Sequence, residues 1–160
     1  MIRSVSLRAG EVKVARAPGR LVIHGLGSCV AVFLYDPKAR VGGLAHILLP
    51  SPPKGAGEWG GRYATSAVSV MIEESLRLGA RLTALRAKVT GGSRMFTFES
   101  EPGRQAIGDR NVEAALGALE GAGVAVVASD IGGGCGRTIE ADLGDGSLTI
   151  KTVRGAPRVI

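Results

Sequence analysis

Residues 25–50, GLGSCVAVFLYDPKARVGGLAHILLP, decide how the chain is read. Residues 28–35 and 41–49 are two strand-length runs, the first rich in β-branched and aromatic types. Between them, Asp36 and Pro37 suit the first two positions of a type I turn, so residues 36–39 are expected to form a four-residue hairpin loop. If Tyr35 pairs with Arg40, the numbers of cross-strand partners sum to 75, and Cys29 falls directly opposite His46. Directly opposed side chains share a face, with Cβ atoms about 4.5–5.5 Å apart. A thiol beside an imidazole is the arrangement that makes a thiolate nucleophile, since the ring lowers the thiol pKa from about 8.5.

The rest of the chain is long enough to give that hairpin a core. Its 160 residues are expected to form one domain, 1–160. Hydrophobic residues at 45% and charged ones at 21% fit a globular protein. No apolar run approaches the ~18 residues of a membrane span. Residues 1–19 carry no hydrophobic signal core, so the default location is the cytoplasm and the two cysteines read as free thiols. The net charge of +6 permits an anionic partner. Its basic residues are scattered, however, and aromatics make up only 4%, which argues against nucleic acid. A solvated arginine surface, or a docking face for an acidic protein, fits better.

Upstream, residues 10–15 and 21–23 read as strands joined by a turn at residues 17–20. Gly25 and Gly27 taken alone read first as a tight bend between two strands, and beside the downstream His as an anion-binding nest. Downstream, residues 51–61 are a loop in which Trp59 either covers a pocket or anchors the loop. Residues 62–78 predict a helix with Ala64, Ala67, Val68, Met71, Ile72 and Leu76 inward. Residues 82–90 predict a strand ending at Gly91, Gly92 and Ser93, which either line a substrate or simply break the strand. Asp109 is the expected N-cap of a second helix with Val112, Ala115, Leu116 and Leu119 inward. Residues 124–129 read as a strand buried on both faces. Residues 130–137, DIGGGCGR, read as a wide turn, since a P-loop would end in Lys-Ser/Thr and precede a helix. A hairpin of residues 138–143 and 147–153 closes the chain around Asp145 and Gly146. The order of elements gives an α+β class, two main helices packed on mixed or antiparallel sheet.

Three readings of Cys29 stand side by side. It is a small core hydrophobe, a zinc ligand with His46, His24 and Cys135, or half of a Cys/His nucleophile pair. The zinc set lacks the close C-x-x-C or H-x-x-x-H spacing that marks such sites. Ser28 is no hydrolase nucleophile, because G-x-S-x-G would need glycine where Leu26 and Val30 stand.

The sequence also resembles a known family. GLGSCVAV at 25–32 with AHILLP at 45–50 is similar to the signature of the chemoreceptor glutamine deamidases of the CheD family. The resemblance continues through nearly the whole chain. GGSRMF at 91–96 is similar to the family's GG-x-x-MF, IGDRNVE at 107–113 to its I-G-x-R-N-x-x, and residues 130–137 to its D-x-G-G-x-x-G-R turn. The resemblance implies a layered α/β sandwich and a deamidase that converts glutamines of chemoreceptor cytoplasmic helices to glutamate. Some members are credited with cleaving receptor methyl esters. It further implies a CheC-type phosphatase as regulatory partner, and chemistry that needs no metal or organic cofactor. By position Cys29 is then the nucleophile and His46 the general base, with Gly27 and Ser28 near the oxyanion. Position 23 departs from the family, which usually has a threonine there to orient the histidine. The Ile23 backbone carbonyl, or a water, is the expected substitute, while His24 points to the opposite face. The non-enzymatic alternative is an adaptor for the phosphatase or a receptor helix, which the loss of that threonine favours.

Overall fold

The computed structural model describes residues 3–55, 60–95 and 105–160. In chain order its elements are β1 (Ser4–Ser6), β2 (Val12–Arg16), β3 (Arg20–Leu26), β4 (Val30–Asp36), β5 (Val41–Ile47) and α1 (Ala64–Arg77). A short 3-10 turn (Leu82–Ala84) leads into β6 (Arg86–Gly91), followed by α2 (Ile107–Gly121) and β7 (Ala125–Ile131). Strands β8 (Arg137–Asp142), β9 (Leu148–Lys151) and β10 (Arg158–Val159) complete it. Two five-stranded sheets result, ordered β1-β3-β8-β9-β10 and β2-β5-β4-β6-β7. Each has one parallel pair, β1 with β3 and β6 with β7, among antiparallel neighbours.

Strand β4 explains the layering. Val30, Val32 and Leu34 pack with Ala67 and Met71 of α1 and Ala115 and Leu119 of α2. The alternate residues, Ala31, Phe33 and Tyr35, pack with Leu21, Ile23, Ile139 and Leu148 of the first sheet. Both faces are covered, so the strand reads as a continuous apolar run rather than an alternating one. The α+β class holds: helices, central sheet and outer sheet lie in three layers. No helix among the described residues is long and apolar enough to cross a membrane.

The hairpin forms, but its register differs from the expected one. Asp36 pairs with Val41 and Ala31 with His46, so partner numbers sum to 77. Asp36 is the cause. Its Oδ1 accepts from the N–H groups of Lys38 and Ala39, both at 2.9 Å, which makes it the last strand residue rather than a loop residue. Arg40 closes the loop in the left-handed region at φ 55°, donating its N–H to the Asp36 carbonyl at 2.8 Å. Asp36 Oδ2 also accepts from Arg81 N–H at 2.9 Å, so the turn is tied to the segment before β6.

Other differences have local causes. Strand β7 is not buried on both faces. It is the edge of its sheet, and Val126 and Val127 are exposed at 38% and 53%. Helix α2 begins at Ile107, not Asp109, which lies in its first turn and pairs with Arg94. In α1 the buried stripe continues from Met71 to Ser75, leaving Leu76 outside it. Leu82 belongs to the 3-10 turn and is exposed. A polar tie joins the two sheets: Lys88 of β6 donates from Nζ to the carbonyls of Gly146 and Ile160 at 2.7 and 2.8 Å. Burial pushes this amine below its ordinary pKa, against the opposing charge of Asp145.

Candidate active site

Cys29 ends the three-residue loop between β3 and β4, and His46 is the sixth residue of β5. Cys29 packs against the inter-sheet cluster. His46 pairs across the hairpin with Ala31, two residues from Cys29 and on the same face. Continued one residue past the last ladder pair, this register sets the two residues diagonally rather than directly opposite as expected. The change of two in the register sum keeps the face; a change of one would have reversed it.

Their protonation also differs from expectation. Burial raises the Cys29 thiol above its ordinary pKa, only partly offset by its own backbone N–H. Burial lowers the His46 imidazole, against the backbone of Leu7 and the charge of Glu11. Neither group shifts the other. In the free protein both are held neutral, because each charged form would lose its hydration. His46 Nδ1 is buried without a hydrogen-bond partner among the described residues.

The loop that carries Cys29 is fixed by its carbonyls. Ser93 N–H donates to the Gly27 carbonyl at 3.0 Å, and Gly92 N–H donates to that of Cys29 at 2.9 Å. Asn111 Nδ2 donates to that of Ser28 at 3.0 Å. Among the described residues, none of the N–H groups of residues 27–29 finds an acceptor. Three consecutive carbonyls are thus committed inward while the loop's donors remain available.

Gly91, Gly92 and Ser93 support this loop. All three are buried. Gly91 and Gly92 take φ of 105° and 68°, and a Cβ on Gly91 would lie 2.4 Å from the Cys29 carbonyl oxygen. Gly92 and Gly108 leave equally little room for each other, which lets α2 start against the loop. Ser93 Oγ donates to the Cys135 carbonyl at 2.6 Å and accepts from Arg137 Nη1 at 2.7 Å. Arg137, 7% exposed, also reaches Asp130 Oδ1 at 3.1 Å and the Gly132 carbonyl at 2.7 Å. Arg158 pairs with the same carboxylate. Residues 130–137 are therefore a turn closed on its own arginine, whose guanidinium is committed to Asp130, Gly132, Ser93 and Cys135.

The remaining candidates lie apart. Ile23 is fully buried in the inter-sheet core and pairs with Ile139. The backbone that raises the His46 pKa is that of Leu7. His24 is exposed beside Ser6 Oγ at 3.5 Å. Among the described residues no three His, Cys, Asp or Glu side chains gather as metal ligands would. Trp59 and Phe96 fall outside the described residues. A cleft of about 700 Å³ lies beside the loop, lined by Gly25, Met95, Cys135, Thr138, Lys151 and Arg154. Sequence reasoning missed Asn111 as a site residue, although its segment had been noted. An asparagine on the inner face of an amphipathic helix is the signal that identifies it.

The family model described as CheD chemotactic sensory transduction matches residues 48–152. A protein of Desulfitobacterium hafniense named probable chemoreceptor glutamine deamidase CheD is 40% identical over 160 residues, all of both chains. Geobacter metallireducens has a probable chemoreceptor glutamine deamidase CheD 2 that is 42% identical, covering 96% of each chain. The chemoreceptor glutamine deamidase CheD of Thermotoga maritima is 40% identical over 94% of this chain and 92% of its own. With a matched family model over most of its length and relatives alike from end to end, this chain belongs to the CheD family.

Proposed function

We propose that this chain deamidates glutamine side chains of chemoreceptor cytoplasmic helices through a thioester on Cys29, with His46 carrying the proton. The observation that supports this most is the thiol and imidazole on one face, beside the backbone N–H groups of Gly27 and Ser28, which have no acceptor among the described residues. The names of the relatives supply the substrate class.

The neutral resting state sets the first step. Cys29 Sγ attacks the glutamine amide carbon while its proton passes to neutral His46, and the carbonyl π pair moves to oxygen. The N–H groups of residues 27–29 stabilise that oxyanion, an effect worth about 10²–10³-fold in rate per donor in such sites. His46 then returns the proton to the amide nitrogen, the C–N bond breaks and ammonia leaves. Water attacks the thioester, gives its proton to His46, and the C–S bond breaks to leave glutamate. Acid–base help of this kind contributes typically ~10²–10⁴-fold. A receptor methyl ester would pass through the same thioester, with methanol leaving. A CheC-type phosphatase bound over the loop would regulate by excluding substrate.

Mass spectrometry of a receptor cytoplasmic fragment tests the reading. Incubation should give the mass gain of amide-to-acid conversion, absent with Cys29→Ala and with His46→Gln. No gain with the intact protein overturns it. His46 Nδ1, without a partner among the described residues, and the raised thiol favour a second reading, an adaptor that retains binding and does little chemistry.

A further inference from the structure

The ladder between β4 and β5 ends at Val30 and Ile47, one residue short of Cys29. Beyond that pair the two chains separate, and the Leu48 N–H turns away to the Arg62 carbonyl at 3.0 Å. Asn111, fully buried on α2, spans the opening. Its single Nδ2 donates to the Ser28 carbonyl at 3.0 Å and to the Leu48 carbonyl at 2.9 Å. One side-chain amide thus takes the place of the next rung.

We infer that Asn111 is a positioning residue that sets the separation of Cys29 from His46. The inference rests on the proposed Cys29/His46 chemistry. The two carbonyls it holds belong to the residue before the thiol and to a residue two places beyond the imidazole, one on each strand. Moving either alters the diagonal gap across which the proton must pass. The amide orientation is fixed by chemistry: with Oδ1 in place of Nδ2, an acceptor would face two acceptors. Among the described residues Oδ1 has no partner, so the side chain's directed bonding there goes to this bridge. A packing role alone does not account for a fully buried amide spent on two strands at the open end of the catalytic hairpin.

The test compares Asn111→Ala, Asn111→Asp and Leu119→Ala, the last a buried α2 residue far from both carbonyls in sequence. Deamidation of the receptor fragment gives kcat and KM. The pH profile of Cys29 alkylation by iodoacetamide, with Cys135 as internal reference, reports on the thiol without turnover. Asn111→Ala should lower kcat by about tenfold to a hundredfold, the effect of misplaced reacting groups, with KM nearly unchanged. Its Cys29 alkylation profile should shift while that of Cys135 does not. In Asn111→Asp a carboxylate opposes both carbonyls and regains a donor only when protonated. The ratio of its Cys29 alkylation rate to that of the natural protein should therefore approach one as pH falls. Leu119→Ala should melt earlier with kcat and the Cys29 profile intact. A folded Asn111→Ala with natural kcat and Cys29 profile overturns the inference, as does an equal kcat loss in Leu119→Ala. If Asn111→Ala does not fold, a natural Cys29 profile in the isosteric Asn111→Asp overturns it. If the natural protein lacks deamidase activity, the deamidase reading fails while the alkylation comparison still judges the clamp.

Discussion

Alanine at position 91 would bring its methyl group to 2.4 Å from the Cys29 carbonyl oxygen and 2.8 Å from Leu26 Cδ2. Neither neighbour can yield at low cost. Leu26 is fully buried, and the Cys29 carbonyl is held by Gly92 N–H. The backbone adds its own penalty, since φ of 105° lies where L side chains rarely go. Strain of ~1–3 kcal/mol and overpacking of ~1–3 kcal/mol sum to about 2–6 kcal/mol. That is a large share of the ~5–15 kcal/mol available to a domain. With a urea slope of roughly 2 kcal/mol/M, the midpoint of Gly91→Ala should fall by about 1–3 M. Gly117→Ala is the matched control. It lies within α2 with nothing near its Cβ position, and should gain about 0.5–1 kcal/mol from helix propensity. Equilibrium urea unfolding followed by circular dichroism reads both. A Gly91→Ala midpoint at or above that of the natural protein would refute the close-approach argument.

Three further outcomes follow from buried polar groups. Asp36→Asn should lose about 1–3 kcal/mol, because one carboxylate oxygen becomes a donor facing N–H groups. Burial alone would raise the Asp36 carboxyl, but the N–H groups of Ala39, Arg81 and Lys38 and the Arg81 charge hold it below the ordinary value. Its contribution is thus fully present above the unfolded pKa of about 3.9 and lost as pH falls through the folded value. The stability gap between Asp36→Asn and the natural protein should narrow in acid, and a gap independent of pH contradicts the reasoning. Arg137→Ala should cost roughly 1–3 kcal/mol, measured by thermal melting, because it removes the donors to Ser93 Oγ and the Gly132 carbonyl while Asp130 keeps Arg158. Alkylation of Cys29 in the free protein should climb only above the ordinary thiol range of about 8.5, since burial raises it. A rate plateau at neutral pH would show a preformed thiolate and refute the neutral resting pair.

The hairpin was legible because Asp36 and Pro37 punctuate two apolar runs. Its register was not, because a turn sequence does not say whether Asp36 is the last strand residue or the first loop residue. That depends on where its carboxylate finds donors, and one of them, Arg81, lies 45 residues away. Cys29 and His46 still fall on one face, since a shift of two preserves the face. Residues 124–129 misled for a different reason: an apolar run reports what a strand is made of, not whether it has a neighbour on each side. The roles of Gly91, Gly92 and Asn111 depend on backbone carbonyls, which are the same in every residue and leave no trace in side-chain patterning.

The bond pattern around Cys29 also has a kinetic meaning. Thiol and imidazole sit on strands joined by a short turn, so their meeting requires only a hairpin to close, an event of about 1–10 μs. The amides that hold the loop come from far along the chain, at separations of 83 residues for Asn111 to Ser28 and 63 for Asn111 to Leu48. Such long closures come late in folding. Alignment at this end of the hairpin therefore depends on the long closures: were the start of α2 to open locally, Ser28 and Leu48 would lose their shared donor while the β4–β5 ladder kept its own bonds.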